Sequence, residues 1–335
     1  MMLTLYPDRR EPASALPLSS HPTTKALSGR EQTALSAPVR QTRVVYSKRR
    51  DTEAYFWQGA DTLSLKYWIT GQGLYEADGG RFAVRAGTYL LLNSGQHYSI
   101  SREPEAQEES LLVFFASDLV ADVFRSLTIP TERLLDDPDQ DIPAIDFYQK
   151  LYRDDSILAP RLARFPALLS ENQGDTDWLE SAIYDLAEGL LKVHHTVRRE
   201  VEQMSALRPA TRDELYRRIC YARDYAAASP EEPLSLRLWA AVACLSPNHF
   251  LRTFKQVFHL TPHQYLIQLR LQKAQELLRR TDVSITEICF EVGFESLGSF
   301  STLFRRQIGV SPIAYRLQHT PIRFSPTTAP PRKTN

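Results

Sequence analysis

Side chains suited to reading DNA bases are concentrated in one stretch, residues 246–265, which reads SPNHFLRTFKQVFHLTPHQY. Its large apolar residues recur at spacings of three and four, which predicts one buried helical stripe; they are Phe250, Phe254 and either Val257 or Phe258. Subtracting that stripe leaves an outward set, which comprises Asn248, His249, Leu251, Arg252 and Lys255. In the major groove asparagine pairs with adenine, arginine pairs with guanine, and apolar side chains touch the thymine methyl. Asn248, Arg252 and Leu251 fit those three roles, and Lys255 is better placed to bind a phosphate.

The same pattern occurs a second time, fifty residues later, where residues 296–315 read SLGSFSTLFRRQIGVSPIAY. The matched positions are Phe250 with Phe300, Phe254 with Phe304, Leu260 with Val310, Pro262 with Pro312, and Tyr265 with Tyr315. The outward set of the second copy comprises Leu297, Gly298, Ser299, Ser301, Thr302, Arg305 and Arg306. This copy lacks long polar side chains for base recognition, so we expect methyl and hydroxyl contacts there. Arg305 and Arg306 then position the protein on the DNA backbone.

Each copy carries the signals of a helix that follows another short helix. Ser246 before Pro247 is a typical N-cap with proline in the first turn, and Ser296 can cap the second copy. A shorter amphipathic segment and a tight turn lie upstream of each copy. Two short helices joined by a tight turn, with a polar face on the second, form a helix-turn-helix.

Two positions of the first copy depart from the second. Cys244 stands where the turn usually has glycine, and His259 stands where the second copy has Gly309. A left-handed backbone at such a residue costs about 1 kcal/mol without glycine. We therefore expect the first turn to be slightly strained or differently shaped.

Residues 207–320 resemble the AraC/XylS class of bacterial transcription regulators. The resemblance is carried by RLQKAQELL (270–278), SITEICFEVGFES (284–296), FSTLFR (300–305) and GVSPIAYR (309–316). It implies a helical DNA-binding domain with two helix-turn-helix motifs, and an N-terminal barrel that binds a small effector. Most such relatives activate transcription, so the resemblance implies an activator that works with RNA polymerase on double-stranded DNA.

The segment between the two copies sets their spacing. Pro262–Arg280 predicts a linking helix of 19 residues, about 28 Å long at 1.5 Å per residue. A rigid spacer of that length suits two reading helices about one DNA turn, ~34 Å, apart. We expect one monomer to read two consecutive grooves at a direct rather than palindromic site.

Charge is distributed unevenly although the chain is neutral overall. Residues 207–335 carry 18 Lys and Arg against 10 Asp and Glu, whereas residues 1–206 carry 22 against 30. A basic C-terminal part beside an acidic N-terminal part is typical of a nucleic-acid binder with a separate sensor.

Residues 46–116 contain short apolar or alternating runs separated by glycine turns, which is typical of a jelly roll or small barrel. The runs are 63–69, 82–85, 89–92, 97–100 and 111–115. Residues 84–97, VRAGTYLLLNSGQH, resemble the second half of a cupin motif. In relatives such a barrel binds its effector in the mouth.

A metal site is not expected in this barrel, because His97 is the only histidine at a matching place and one imidazole cannot make a three- or four-ligand site. Several aromatic residues are candidates for a pocket lining; they are Tyr67, Trp68, Tyr75, Tyr89 and Tyr98. Since alternation sends about half of such residues outward, no assignment to the pocket follows.

Residues 117–206 predict a helical dimerisation or linker segment. Residues 148–169 and 178–204 are periodic, and the second segment carries an apolar stripe: Leu179, Ile183, Leu186, Leu190, Leu191 and Val193. This stripe is either core packing or the seam of a homodimer. Pro209 is expected to end the preceding helix, and Thr211 to cap a helix over 212–227.

The predicted fold class is α+β: an N-terminal cupin-like β-barrel with a helical dimerisation segment, then an all-α domain with two helix-turn-helix motifs joined by a long helix. Residues 1–45 and 321–335 are expected to be poorly ordered tails, and a DNA or partner contact is the alternative for the first. The three cysteines form no Cys-x-x-Cys pair and are expected to be buried apolar residues. Their pattern, with no signal peptide and no apolar run of ~18 residues, predicts a cytoplasmic protein.

The sequence thus predicts a non-enzymatic DNA-binding regulator, controlled by a small effector and without a cofactor. Two alternatives remain open at this point. One is a DNA-binding regulator controlled by a protein partner, and the other is a cupin-type metal enzyme tethered to DNA.

Overall fold

The computed structural model describes residues 31–36, 42–50, 55–102, 107–130, 133, 145–153, 155–205 and 208–319. They form two compact units, which are described separately: residues 1–228 with 236–259, and residues 229–235 with 260–335. The predicted tail 321–335 and residues 1–30 of the first predicted tail lie outside the described residues. None of the helices in the described ranges is long and apolar enough to cross a bilayer.

Two antiparallel sheets form the N-terminal part of the first unit. The strands are β1 Glu31–Ser36, β2 Arg43–Arg50, β3 Tyr55–Ala60, β4 Ser64–Thr70, β5 Gln72–Ala77, β6 Gly80–Arg85, β7 Tyr89–Leu92, β8 His97–Arg102, β9 Gln107–Phe114 and β10 Leu151–Tyr152. The first sheet has the order β1-β2-β9-β4-β7-β10, and the second has the order β3-β8-β5-β6. Asp78 and Gly79, both with positive φ, form the two-residue turn that sets the β5–β6 register.

The predicted closed barrel is wrong, because the two sheets are not joined into one. Each sheet has its own antiparallel ladder, and the backbone link described between them is a single bridge from Trp68 to Ala86. Short runs with glycine turns are compatible with a sandwich as well as with a barrel, so the sequence pattern alone does not decide closure.

Part of the predicted N-terminal tail is a strand. β1 pairs along its whole length with β2 at the edge of the six-stranded sheet, and β2 begins at Arg43 rather than at residue 46. The tail prediction is therefore wrong for Glu31–Ser36. The composition of residues 31–36 does not predict a strand, but the open edge of β2 offers backbone groups with which β1 pairs.

Helices complete the first unit. They are α1 Leu119–Thr128, α2 Ala159–Glu171, α3 Thr176–Glu202, α4 Pro209–Ala228, α5 Leu236–Val242 and α6 Pro247–Phe258. The helix predicted over 148–169 is wrong at its start, where β10 pairs with β7 before α2 begins. Helix α4 begins at Pro209, so proline occupies its first turn and Thr211 is not the N-cap.

The long helix α3 is confirmed, with Asp175 as its N-cap. The whole predicted stripe, Leu179, Ile183, Leu186, Leu190, Leu191 and Val193, is buried in one core with the outer face of the six-stranded sheet. The stripe is therefore core packing, and it is not available as a dimer seam.

Helix α4 belongs to the same compact unit as the sheets, although the sequence predicts a domain boundary at residue 207. Its side chains bind β10 directly: the Asp224 carboxylate accepts a hydrogen bond from Leu151 N at 2.7 Å, and Arg223 donates to Leu151 O at 2.7 Å. The change in amino-acid composition before α4 predicts a loop there, but composition cannot predict the contacts between α4 and β10.

The described part of the second unit contains four helices: α7 Pro262–Arg280, α8 Ile285–Glu291, α9 Leu297–Ile308 and α10 Pro312–His319. Helix α7 starts with a capping box formed by Thr261 and Gln264. Its length of 19 residues agrees with the predicted linking helix. One core buries the apolar faces of α7 to α10 around Phe300 and Phe304.

Candidate DNA interface and effector site

The first helix-turn-helix consists of α5 and α6, which pack through aromatic side chains. Trp239 of α5 lies 5.6 Å from the ring of Phe250 and 5.3 Å from that of Phe254, measured between centroids. All three side chains are buried, as the predicted apolar stripe requires. The Trp239 indole also donates to the carbonyl of Ala222 at 2.6 Å, which fixes the motif on α4.

The two turns share one hydrogen-bonding pattern. Leu245 N donates to Ala240 O at 2.9 Å, and Phe294 N donates to Cys289 O at 3.0 Å. Cys244 at φ 53° precedes Leu245, and Gly293 at φ 89° precedes Phe294. The expectation of a left-handed backbone at Cys244 is therefore confirmed.

The turns differ in what surrounds the left-handed residue. A Cβ at Gly293 would lie 2.5 Å from Glu231 O, so this turn requires glycine. Cys244 is exposed, so its side chain has room, and the expectation that all three cysteines are buried is wrong for it. The second turn is also one residue longer, because Glu295 lies between Phe294 and the N-cap Ser296.

The helix starts and ends of α6 and α9 follow the predicted signals. Ser246 accepts from His249 N, and Ser296 accepts from Ser299 N, at 3.4 Å in both cases. His259 and Gly309 end the two helices with φ of 57° and 92°. A histidine in the left-handed region is uncommon and carries a cost that glycine avoids.

The outer face of α6 carries the predicted polar set. Asn248, His249, Arg252 and Lys255 are exposed, and Leu251 is half-buried. Among the described residues, neither Arg252 nor Lys255 forms an ion pair. Both cations are therefore available to an anionic partner such as a nucleic acid.

The outer face of α9 has a different chemistry. The exposed members of the predicted set are Leu297, Gly298, Ser299, Thr302, Arg305 and Arg306, while Ser301 is half-buried. A Cβ at Gly298 would make one ordinary contact, 3.7 Å from Ser296 Oγ, so the space beside this backbone is open. Because glycine has no side chain to fill that space, the backbone of the first turn stays accessible. Within the described ranges Arg305 and Arg306 make no ion pair.

One residue that supports the second motif was not singled out by sequence reasoning. Arg270 of α7 donates to the carbonyls of Pro230, Gly293 and Glu232 at 2.7, 2.5 and 3.1 Å. Burial lowers the pKa of Arg270, and the carboxylates of Glu231 and Glu295 oppose that shift. The guanidinium of Arg270 thus stabilises the turn at Gly293, which sets the direction of α9.

The candidate pocket aromatics divide between the two faces of the six-stranded sheet. Trp68, Tyr75 and Tyr98 are buried between the sheets, whereas Tyr67 and Tyr89 face the helices. Between the sheets, Lys66 is almost fully buried, and its Nζ donates to Tyr98 Oη at 2.9 Å. Burial lowers the pKa of Lys66 to about 7; Asp61 opposes this shift and Arg43 reinforces it.

His97 does not enter this space, because its side chain is exposed at the start of β8. In the part of the chain that the structure describes, no three His, Cys, Asp or Glu side chains are grouped as metal ligands.

The space between the sheets is connected to the first helix-turn-helix through β10. The Leu151 side chain is buried with Trp68 and Tyr75, and its backbone is bound by Arg223 and Asp224 of α4. The Arg223 guanidinium lies 5.1 Å from the ring centroid of Phe258 in α6. Sequence reasoning missed this connection; the adjacent charges of Arg223 and Asp224 on an otherwise apolar helix face were its only signal.

Two family models match the chain: an AraC-like ligand binding domain over residues 42–187 and a helix-turn-helix domain over residues 239–318. The HTH-type transcriptional activator RhaS of Escherichia fergusonii is 49% identical over 77 residues, 22% of this chain and 28% of that protein. The chain thus matches less than a third of the length of this relative.

Solved structures also match about a third of the chain. The C-terminal domain of AraT, a response regulator from Geobacillus stearothermophilus, is 31% identical, with 32% of this chain and 90% of that chain covered and a TM-score of 0.30. The DNA-binding domain of AdpA, solved in complex with a target DNA, is 34% identical, with 30% and 90% covered and a TM-score of 0.29. With the two domain models in chain order over most of the described residues, the chain belongs to the AraC/XylS family.

Proposed function

We propose that the protein is a sequence-specific, double-stranded-DNA-binding transcription activator, controlled by a small effector that binds between the two N-terminal sheets. The observation that carries the proposal is the pair of helix-turn-helix motifs, each with an exposed helix face bearing cations that no described carboxylate neutralises. The E. fergusonii relative, which matches 77 residues of the chain, is named a transcriptional activator.

The first motif is the main reader of base sequence. Asn248 and Arg252 supply paired hydrogen-bonding groups for adenine and guanine, and Leu251 supplies an apolar contact for a thymine methyl. His249 lies beside Asn248 at the start of α6, where recognition helices approach the base edges. Lys255, one turn further along, binds the phosphate backbone.

The second motif contributes affinity more than base discrimination. Leu297, Gly298, Ser299 and Thr302 bring a small surface close to the groove, with methyl and hydroxyl groups as the available contacts. Arg305 and Arg306 bind phosphates. The length of helix α7, about 28 Å at 1.5 Å per residue, suits an operator whose two half-sites lie about one DNA turn apart. The operator is therefore two direct half-sites in consecutive grooves.

Control by the effector runs through β10 and α4. A ligand between the sheets displaces or orders side chains beside Leu151, whose backbone is held by Arg223 and Asp224. Helix α4 in turn holds Trp239 of the first motif. A ligand that prefers one position of β10 thereby shifts the orientation of α6, which is the differential binding that allosteric control requires.

The activator works in the cytoplasm as a homodimer that contacts RNA polymerase. Because the predicted seam of α3 is buried in the core, the dimer forms through another surface. Tyr184, which borders the buried stripe of α3 and is 41% exposed, is the large apolar side chain that this helix offers.

Arg252 provides the test of base reading, with binding measured on selected operator DNA and on variants carrying each base substitution. Arg252→Lys keeps the charge but cannot form the paired contact with guanine, so it retains the salt dependence and loses discrimination at one position by about 1–3 kcal/mol. Arg252→Ala loses the discrimination at that position and also lowers the salt slope by about 1. Retention of full discrimination by both variants would show that α6 does not read DNA as proposed.

A further inference from the structure

Lys66 is a buried cation whose charge is not balanced inside the described structure. It is 1% exposed, and its Nζ lies 3.8 Å from the ring centroid of Phe114 and 4.8 Å from that of Tyr98. Its one hydrogen bond to a described residue goes to the phenol of Tyr98, and no described carboxylate lies within ion-pair distance. Burying an ammonium without a counter-charge is costly, and proteins generally pair such groups.

The nearest candidate counter-ion is already engaged. Both oxygens of Asp61 accept from Arg43, at 2.9 and 2.7 Å, and Oδ1 also accepts from Thr62 N at 2.9 Å. Tyr98 cannot replace it, because burial raises the pKa of its phenol and keeps it neutral. Tyr98 Oη accepts from Lys66, so its own proton remains to be donated to an acceptor.

Further polar atoms in the same space make no hydrogen bond of normal geometry to a described residue. Ser64 and Trp68 flank Lys66 at alternate positions of β4, so both lie on its side of the sheet, about 7 Å away along the strand. Ser64 Oγ is buried without a hydrogen bond among the described residues, and Trp68 Nε1 and Tyr75 Oη interact with each other but make no hydrogen bond of normal geometry. Buried polar groups are rarely left in this state unless a ligand or water completes them.

These groups are mainly donors. An ammonium and an indole N–H donate only, and the phenols and the hydroxyl each have a proton to give. A neutral polyol brings hydroxyl protons of its own that would need acceptors, whereas an ionised carboxylate accepts hydrogen bonds only and supplies the missing negative charge. Two guanidinium groups also border the space: Arg43 lies 4.6 Å from the ring centroid of Phe114, and Arg102 lies 5.1 Å from the ring of Trp68. The aromatic surface of Phe114, Trp68 and Tyr98 suits the apolar body of an acid, and the nearby cations favour its negative charge.

We propose that the space between the sheets binds a small organic acid, with its carboxylate on Lys66 Nζ and Tyr98 Oη and its apolar body among the rings of Phe114 and Trp68. The inference rests on the proposed function in one respect, namely that the effector occupies this space. It adds the chemical class of that effector and the residue that selects it.

The test uses the full-length protein and two matched series of probes. The first series contains acetate, butyrate, hexanoate, octanoate, benzoate and 4-hydroxybenzoate, and the second contains their methyl esters. Binding is measured by thermal shift and by calorimetry. We expect at least one of the larger acids to bind ten times more tightly than its ester, because the ester lacks the charge that pairs with Lys66.

The pH dependence provides a second readout. The acid binds the protonated form of Lys66, so its affinity should fall about tenfold per pH unit above the folded pKa of that lysine. Binding at neutral pH should take up protons, which calorimetry detects in buffers of different ionisation enthalpy. Lys66→Met and Tyr98→Phe should both weaken binding of the acid, the first abolishing its preference over the ester. Lys48→Met, an exposed lysine of the same sheet, should leave binding unchanged.

Three results would overturn the inference. The acids and their esters could bind equally tightly, the Lys66→Met variant could bind the acid as tightly as the wild type does, or the protein could bind none of the acids. DNA binding, measured in parallel on selected operator DNA, separates this failure from that of the proposed function. If the wild-type protein binds DNA sequence-specifically but binds no acid, only the proposed ligand class is overturned. If it shows no sequence preference on DNA either with or without the acids, the proposed function is overturned.

Discussion

Lys66→Met replaces a buried ammonium by an apolar side chain of similar length, and we expect the ligand-free protein to become more stable. The wild-type cation lies among aromatic rings and donates to one phenol. Methionine fills the same volume without a charge to desolvate. Most core substitutions destabilise a protein, so the expected sign is the opposite of the usual one.

The magnitude follows from the pKa of Lys66. Burial lowers it from 10.5 to about 7 in the folded protein, and unfolding restores the ordinary value. At about 1.4 kcal/mol per unit, the difference corresponds to at most about 5 kcal/mol. The variant also leaves Tyr98 without its donor, which costs about 1 kcal/mol. We therefore expect a net gain of about 3–4 kcal/mol at pH 7.

The gain depends on pH with a defined sign. The unfolded chain binds the proton of Lys66 more tightly than the folded protein, so wild-type stability rises with pH between about 7 and 10.5 through this residue. Below the folded pKa the full cost is present, and above the unfolded pKa it is gone. The difference between variant and wild type should therefore be largest at or below pH 7 and close to zero near pH 10.

Denaturant titration followed by tryptophan fluorescence measures this difference. Trp57, Trp68, Trp178 and Trp239 are the four tryptophans of the chain, and all belong to the first compact unit, so the signal reports that unit. Lys48→Met serves as the control and should change stability little. A variant less stable than wild type at pH 7, or a gap that does not shrink with rising pH, would refute the reasoning.

Three further predictions concern the helical part of the chain. His259→Gly should stabilise the protein by about 1 kcal/mol by relieving the left-handed backbone, while His249→Gly inside α6 should destabilise it by a similar amount; denaturant titration compares the two. Asp224→Ala should cost about 3 kcal/mol or more, because it removes the carboxylate that pairs with the buried Arg223 and accepts from Leu151 N; a loss below about 1 kcal/mol would mean that the link to β10 is weak. Changing Arg305 and Arg306 together to glutamine should reduce the slope of log affinity against log salt by about 2, without altering base preference; an altered preference would assign base reading to α9.

Local signals in the sequence predict the two motifs well. Serine caps, proline at the first helical position and the stripe of phenylalanines place α6 and α9, and each acts within one or two turns of helix. The left-handed residue Cys244 was predictable because it stands where the turn of such a motif usually has glycine. The outward sets follow by subtraction, and all their members are exposed except Leu251 and Ser301, which are half-buried.

Features that depend on distant partners were not predictable. The pairing of β1 requires the open edge of β2, and the two-residue strand β10 requires β7 on one side and the side chains of α4 on the other. Whether the sheets close into a barrel depends on the register between strands that are far apart in sequence. The local sequence pattern therefore could not show that the barrel prediction was wrong. Lys66 lies in a run of alternating polar and apolar residues, where a lysine is normally predicted to face solvent. It is buried because the second sheet packs over it.

Capture of genomic DNA fragments by the purified full-length protein, followed by sequencing of the bound fragments, tests the central claim most directly. Two half-sites in direct orientation, about one helical turn or 10–10.5 base pairs apart, are the predicted result, with stronger base preference in the half-site read by α6. Salt-sensitive binding without a shared motif, both with and without the carboxylate probes, would contradict the account.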